Sequence, residues 1–336
     1  MDQTFTRIGK RLTLICLLLG LLLAAALLLG AGLGSSSRNP LAVLDLLRSL
    51  TEPGTTGFAI VWKIRLPRVL LAAMTGATLS LGGLVFQVLL RNPLAEPYIL
   101  GISGGAAVGA IAGMLLGIPF FPGVTLSAFA GSMATLAIVM LLAAGARAGR
   151  QDSLLLAGVM MNAFAGAVIM FLISMSQSSQ LHHILFWLMG DLSMAEAARL
   201  PLFALILPCY LVIFFLARPM NVLLTGREAA ASLGVNVRKI SLILLVTATL
   251  MVSLVVCLSG LVGFVGLVVP HILRLTIGPD HRLLVPASLL GGASYLVFCD
   301  LLARILPASG ELPVGIITAM IGAPLFIMLL WRAARQ

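Results

Sequence analysis

Long apolar runs fill the chain from one end to the other, each cut off by a short charged or Pro/Gly-rich break. A helix that crosses a bilayer needs roughly 20 consecutive apolar residues, because the hydrocarbon path is about 30 Å and each residue advances about 1.5 Å. Ten runs reach or approach that length: Leu12–Leu33, Ile64–Leu89, Tyr98–Leu116, Val124–Ala144, Leu154–Met175, Ala197–Ala217, Ile240–Ser259, Leu261–Ile277, Leu283–Leu306 and Pro313–Trp331. The breaks between them are too short for a soluble domain. The pattern therefore predicts one all-α polytopic membrane domain over residues 1–336, with about ten transmembrane helices.

Composition agrees with this reading. Hydrophobic residues make up 60% of the 336 and charged residues 10%, which excludes an ordinary soluble globular chain. The formal net charge of +10 would suit nucleic acid only if it were concentrated. Instead the basic residues stand in ones and twos between apolar runs, as charges flanking membrane spans do, so no nucleic-acid partner is expected. Cys16, Cys209, Cys257 and Cys299 sit inside apolar runs without metal-ligand spacing and read as small apolar fillers.

The first run follows Arg7, Lys10 and Arg11 and is too long for the ~7–15-residue core of a signal peptide, so it reads as an uncleaved helix with its amino end in the cytoplasm. Alternation of ten spans then returns the carboxyl terminus to the same side. Of the 21 Lys and Arg, this leaves only Arg38, Arg48, Lys63, Arg65, Arg68, Arg199 and Arg304 outside, the bias expected of a membrane protein.

Three outward arginines nevertheless stand at helix mouths. In "VWKIRLPRVLLAAMTG", Arg65 and Arg68 flank a proline suited to starting a helix, and Glu52 is the nearest preceding acid. A single exposed arginine commonly snorkels to headgroups; an uncompensated outer pair reads as a docking surface for an acidic partner. Asp300 and Arg304 have the i,i+4 spacing that allows them to pair on one helix face, and Glu311 lies just beyond.

On the opposite side, "RPMNVLLTGREAAASLGVNVRK" contains helix formers from Arg227 to Leu233 followed by Gly234, a natural stop. This predicts a short cytoplasmic helix, either a rigid element that transmits force between two spans or a helix lying on the bilayer. In the fifth run, Asn162, Gly166 and Met170 share an i,i+4 face; such small and flexible residues can line a path or simply allow close packing. The glycine-rich "SGLVGFVGLVVPH" can likewise be a gating turn or a close-packed break.

No G-x-x-x-x-G-K-[ST] occurs, so nucleotide phosphates have no P-loop here and a separate subunit must supply energy. Ser103 in "GISGG" with His271 matches an intramembrane protease pattern only in a Gly/Ala-rich stretch where the match is cheap. A proton-coupled secondary transporter would want ionisable groups near the bilayer midplane, and Asp300 alone comes close.

The segments "RLPRVLLAAMTGATLSLGGLVFQVLLRNPLAEPYILGISGGA", "ILFWLMGDLS", "REAAASLGV", "GLVGFVGLVVPHILR" and "ELPVGIITAMIGAPLFI" closely resemble the FecCD-type permease subunits of bacterial ABC importers, in order and spacing, from Val61 to Trp331. That family carries vitamin B12, ferric siderophores and haem. The resemblance implies a type II ABC importer permease fold in a bacterial or archaeal inner membrane, working as a homodimer or as half of a related heterodimer. It implies two cytoplasmic ATPase subunits that bind ATP and Mg, a periplasmic or lipid-anchored solute-binding protein, and no cofactor or metal on this chain. Carried over by position, the ATPase-coupling segment falls on Asn221–Val237, with Arg227, Glu228, Ala229, Ala230 and Gly234 at its core. Binding-protein docking falls on Arg65, Arg68 and Arg304. The translocation path falls on Leu154–Met175 and Pro313–Trp331, with Asn162, Gly166 and Met170 as candidates. The substrate stays open among iron chelates, haem and a corrinoid, with iron chelates favoured because they dominate the family.

Overall fold

The computed structural model describes residues 2–33, 56–145, 150–195, 197–307 and 310–333; Arg38, Arg48, Glu52, Arg147 and Arg335 lie outside the described residues. Among the described residues every regular element is helical. Helix α1 is Asp2–Gly32. Helix α2, Leu66–Leu89, is entered through Thr56–Ile60 and a π-helical turn at Val61–Arg65. Then come α3 (Ile102–Leu115), α4 (Thr125–Gly145), α5 (Arg150–Ser174) and α6 (Ser178–Leu188). A 3-10 stretch, Ala197–Leu205, leads into α7 (Leu207–Phe215), α8 (Ala217–Leu223) and the short α9 (Arg227–Ser232). The chain ends with α10 (Val237–Ser259), α11 (Val265–Ile277), α12 (His281–Ile305) and α13 (Val314–Ala333).

Six of these helices are long and apolar enough to cross a membrane, the bent stretch from Arg199 to Leu223 makes a seventh, and Ile102–Leu115, Val265–Ile277 and Val314–Met328 are shorter apolar helices. Each of the ten apolar runs thus has its helix. Two runs are broken rather than continuous. In the sixth, Pro201 and Pro208 each remove a backbone donor, and just past its end Pro219, in the first turn of α8, has no N–H to give the carbonyl of Phe215; the chain bends by 54° between α7 and α8. In the eighth, Gly260 and Phe264 both have φ of +68°, so the helix begins only at Val265. Helix α6 lies between runs and is started by a reciprocal cap between Gln177 and Gln180.

Helix α2 is the centre of the bundle and is buried on nearly every side from Pro67 to Val88. Its middle, "AAMTGATLSLGG", explains why: in lipid, helices gain little by hiding apolar surface from one another, so close association needs small residues. Gly76 of α2 meets Gly292 of α12, and a Cβ on either would run into the other's carbonyl oxygen. A Cβ on Gly83 would likewise run into the carbonyl oxygen of Gly266 of α11, while one on Gly266 would meet Pro97 and the Leu79 carbonyl oxygen. Helix α1 is peripheral, packing Gly30 on Val69 and Val297 while Leu14, Leu17, Leu18, Leu21 and Leu22 stay exposed.

Candidate functional site

The three helix-mouth arginines converge on one end of the bundle. Arg65 donates to the carbonyls of Gly32 (2.7 Å) and Ala31 (3.3 Å), and Arg304 donates to those of Gly30 (3.0 Å) and Leu33 (3.1 Å). Between them they satisfy the last carbonyls of α1 and place positive charge at the negative end of its dipole. Asp300 sits behind, fully buried: Arg68 Nε donates to its Oδ1 at 2.8 Å, and Arg304 Nε stands 3.0 Å from its Oδ2 as an ion pair out of hydrogen-bond alignment. Arg68 also donates to Glu311.

This corrects the expectation of an uncompensated outer pair. Arg68 has two acids, both far along the chain, and Arg68 and Arg304 are only 7% and 3% exposed; Arg65 is half-buried. The register of the glycine contact produces the pairing. Arg68 and Asp300 both lie eight positions from the Gly76–Gly292 contact, in opposite chain directions on antiparallel helices, so packing α2 on α12 brings guanidinium and carboxylate level.

At the other end of the bundle, α9 stands out as a short exposed helix. Its C-terminus is a complete Schellman stop: Gly234 has φ of +81°, its N–H donates to Ala231, and the N–H of Val235 donates to Ala230. Ala230 is wholly buried and anchors the inner face, whereas Glu228, Ala229, Ser232 and Leu233 face outward. Glu228 lies in the first turn but makes no cap bond; the N-cap is Gly226, so Glu228 acts there through charge alone. Arg227 is exposed.

A polar joint fastens the approach to α9 onto α12. The Asn221 side chain of α8 donates to Asp280 Oδ1 at 2.8 Å and accepts from the backbone N–H of His281 at 2.9 Å, and His281 Nδ1 lies 2.7 Å from the same Asn221 oxygen. Asp280 also caps α12 through the Arg282 N–H and takes its guanidinium at 2.8 Å. Burial pushes the Asp280 carboxyl up, but the Arg282 and Asn221 hydrogen bonds outweigh it and hold the group at about 2. Sequence reading gave Asn221 only as the edge of a segment, since its partners lie about 60 positions away.

Asn162, Gly166 and Met170 all lie exposed along one face of α5, together with Phe171 and Met175 nearby, while Ala165 is turned inward. Helix α13 likewise leaves Met320 and Ile327 exposed. Its Gly322 packs against Phe264, whose backbone N–H donates to Glu96 at 2.8 Å. The broken backbone here is knit internally, as membrane depth requires: Leu261 N–H donates to Trp187, Val314 N–H to Gly190 and Gly315 N–H to Met189. Ser103 is packed in α3, and His271 Nδ1 has no hydrogen-bond partner, so no Ser–His pair forms through that nitrogen.

Helical spans closing on a small-residue core, internally knit broken segments and a rigid short helix fastened to a span define a polytopic transport protein with an importer-permease fold. The profile of the FecCD transport family matches residues 18–332, and the chain belongs to that family. The hemin transport system permease protein HmuU of Yersinia pestis is 40% identical over 328 residues, covering 95% of this chain and 97% of that protein. The vitamin B12 import system permease protein BtuC of Salmonella arizonae is 41% identical over 279 residues, covering 83% and 85%. A solved structure described as an inward-facing conformation of a metal-chelate type ABC transporter superposes with a TM-score of 0.83 at 31% identity, covering 95% of this chain and 99% of that one.

Proposed function

We propose that this protein is the membrane permease of a binding-protein-dependent ABC importer that brings an iron chelate, a siderophore complex or haem, across the inner membrane. The observation that carries the reading is α9: a short helix with one face anchored through Ala230, a fixed stop at Gly234 and an outward face free to seat on a partner. A pair of cytoplasmic ATPase subunits would hold ATP and Mg, with none on this chain, and push on Arg227, Glu228, Ala229 and the rest of that face as they close. The Asn221–Asp280–His281 joint then carries the movement into α12, and through its glycine contact into α2.

Two copies of the chain would pack around the path, with both termini in the cytoplasm. The exposed face of α5 around Asn162, Gly166 and Met170 suits a bulky chelate because it carries one uncharged polar side chain among small, apolar and flexible ones, so it can let a ligand slide without gripping it. The named cargoes of the two permease relatives, hemin and vitamin B12, are both metals held in large macrocycles, which supports that size class. A solute-binding protein would dock at the opposite end, its acidic residues meeting the half-buried Arg65, and meeting Arg68 by displacing Glu311, whose side chain is 34% exposed.

Proteoliposomes holding this chain, its ATPase and its binding protein test the reading. ATP-driven uptake should appear with a ferric siderophore or hemin; uptake of cobalamin alone would correct the substrate while leaving the transport class in place. Secondary, proton-coupled transport is not favoured, because Asp300 is locked between Arg68 and Arg304.

A further inference from the structure

A groove of about 490 Å³ lies under α9, where the ends of three spans meet. Its floor is apolar, formed by Phe86 and Leu90 from the end of α2, Leu154 from the start of α5, and Leu242 and Leu245 from α10; Arg227 and Arg238 stand at its polar edge. Among the described residues no carboxylate lines it, and neither arginine has an ion-pair or hydrogen-bond partner for its guanidinium. Arg227 and Ala231, one turn apart on α9, both face the groove, whereas Glu228 and Ala229 face away. Along α10 the apolar surface runs on, since Leu242 and, one turn later, Val246 are 39% and 42% exposed.

We propose that this groove binds an anionic phospholipid, the headgroup phosphate between Arg227 and Arg238 and an acyl chain along Leu242 and Val246. The chemistry fits on both counts. Paired guanidiniums at the level of the span ends are placed for a phosphate, with charge-assisted hydrogen bonds on offer. A free phosphate would leave the apolar floor wet, whereas a lipid covers it. The site shares Arg227 with the surface assigned to the ATPase but otherwise uses the opposite face of α9, away from Glu228 and Ala229, and a lipid there would brace the helix from behind. The inference needs only the membrane location, so it stands or falls apart from the choice of substrate.

Purified protein exchanged into mixed phosphatidylglycerol and phosphatidylcholine can be released in a mass spectrometer under native conditions and the retained lipids counted. Wild type should retain phosphatidylglycerol over phosphatidylcholine by at least about tenfold, and R227Q/R238Q should retain the two about equally. Leu242→Trp, which fills the groove and leaves both arginines in place, should lose the lipid as well; this variant decides the matter if the double substitution does not fold. Thermal unfolding should rise with phosphatidylglycerol and not with glycerol phosphate. Equal retention of the two lipids by wild type, a preference that survives the substitutions, an equal thermal shift with glycerol phosphate, or displacement of the lipid when the ATPase assembles would each overturn the proposal.

Discussion

Asp300 is the residue on which this end of the bundle depends, because among the described residues it is the carboxylate that pairs with both buried guanidiniums. Asp300→Asn keeps the shape and removes the charge, leaving Arg68 and Arg304 facing each other; a loss of about 3–5 kcal/mol is expected, read as a large drop in the unfolding temperature of purified protein. Glu311→Gln should cost about 1 kcal/mol or less, since its side chain is partly exposed. Unfolding of the Asp300 variant at the wild-type temperature would show that the cluster is not structural. The same geometry divides the arginines by function. Arg65→Ala should slow binding-protein association in a salt-sensitive way, whereas Arg68→Ala and Arg304→Ala should chiefly lower stability; surface-plasmon kinetics at low and high salt, beside thermal unfolding, separate these effects. Half of this cluster is legible in the sequence. Asp300 and Arg304 share a helix face by spacing alone, but the acid that meets Arg68 is identified only by the register of Gly76 on Gly292, which no local pattern encodes.

At the scale of elements, α9 and its joint make the sharpest predictions. Gly234 has open space around the site of a Cβ, so Gly234→Ala tests its φ of +81° and nothing else. The strain should cost about 1 kcal/mol, loosening the stop and lowering transport per ATP hydrolysed, and Gly234→Asn should recover part of it because asparagine tolerates that conformation. Transport per ATP unchanged by the alanine would remove α9 from the coupling path. The joint below it should be acid-labile. With its folded value held at about 2, against roughly 3.9 for an unperturbed aspartate, Asp280 stabilises the fold fully above pH ~4 and loses that contribution as pH falls towards 2. Hydrogen exchange at the start of α12 should therefore rise below pH ~4 in wild type and be already raised, without that pH step, in Asp280→Asn. The Gly234 stop is readable from sequence because one residue carries it. The bend after α7 is not, because hydropathy runs unbroken across Pro208 to the end of the run at Ala217 and carries no sign of a change in direction, and α6 is missed because "SSQLHHILFWL" is too short to register as a span.

The whole molecule leaves apolar faces of α5 and α13 uncovered, among them Phe164, Met170, Phe171, Met320 and Ile327, and two copies facing each other would enclose them. A charge in the middle of that face should be poorly tolerated: Met170→Glu is expected to break the two-copy assembly or to block uptake while α9 and the Arg68–Asp300–Arg304 cluster stay intact, as size-exclusion chromatography and the uptake assay would show. The spans that carry these faces are readable from hydropathy, but which of their sides meets the rest of the chain depends on partners such as Gly104 against Ala165, which only packing reveals. Driven import itself is the decisive property of the assembly. In sealed proteoliposomes containing this chain, its ATPase and its binding protein, iron-chelate uptake should require ATP and the binding protein and should be unaffected by collapsing the proton gradient. Uptake that proceeds without ATP and stops when the proton gradient is collapsed would contradict it.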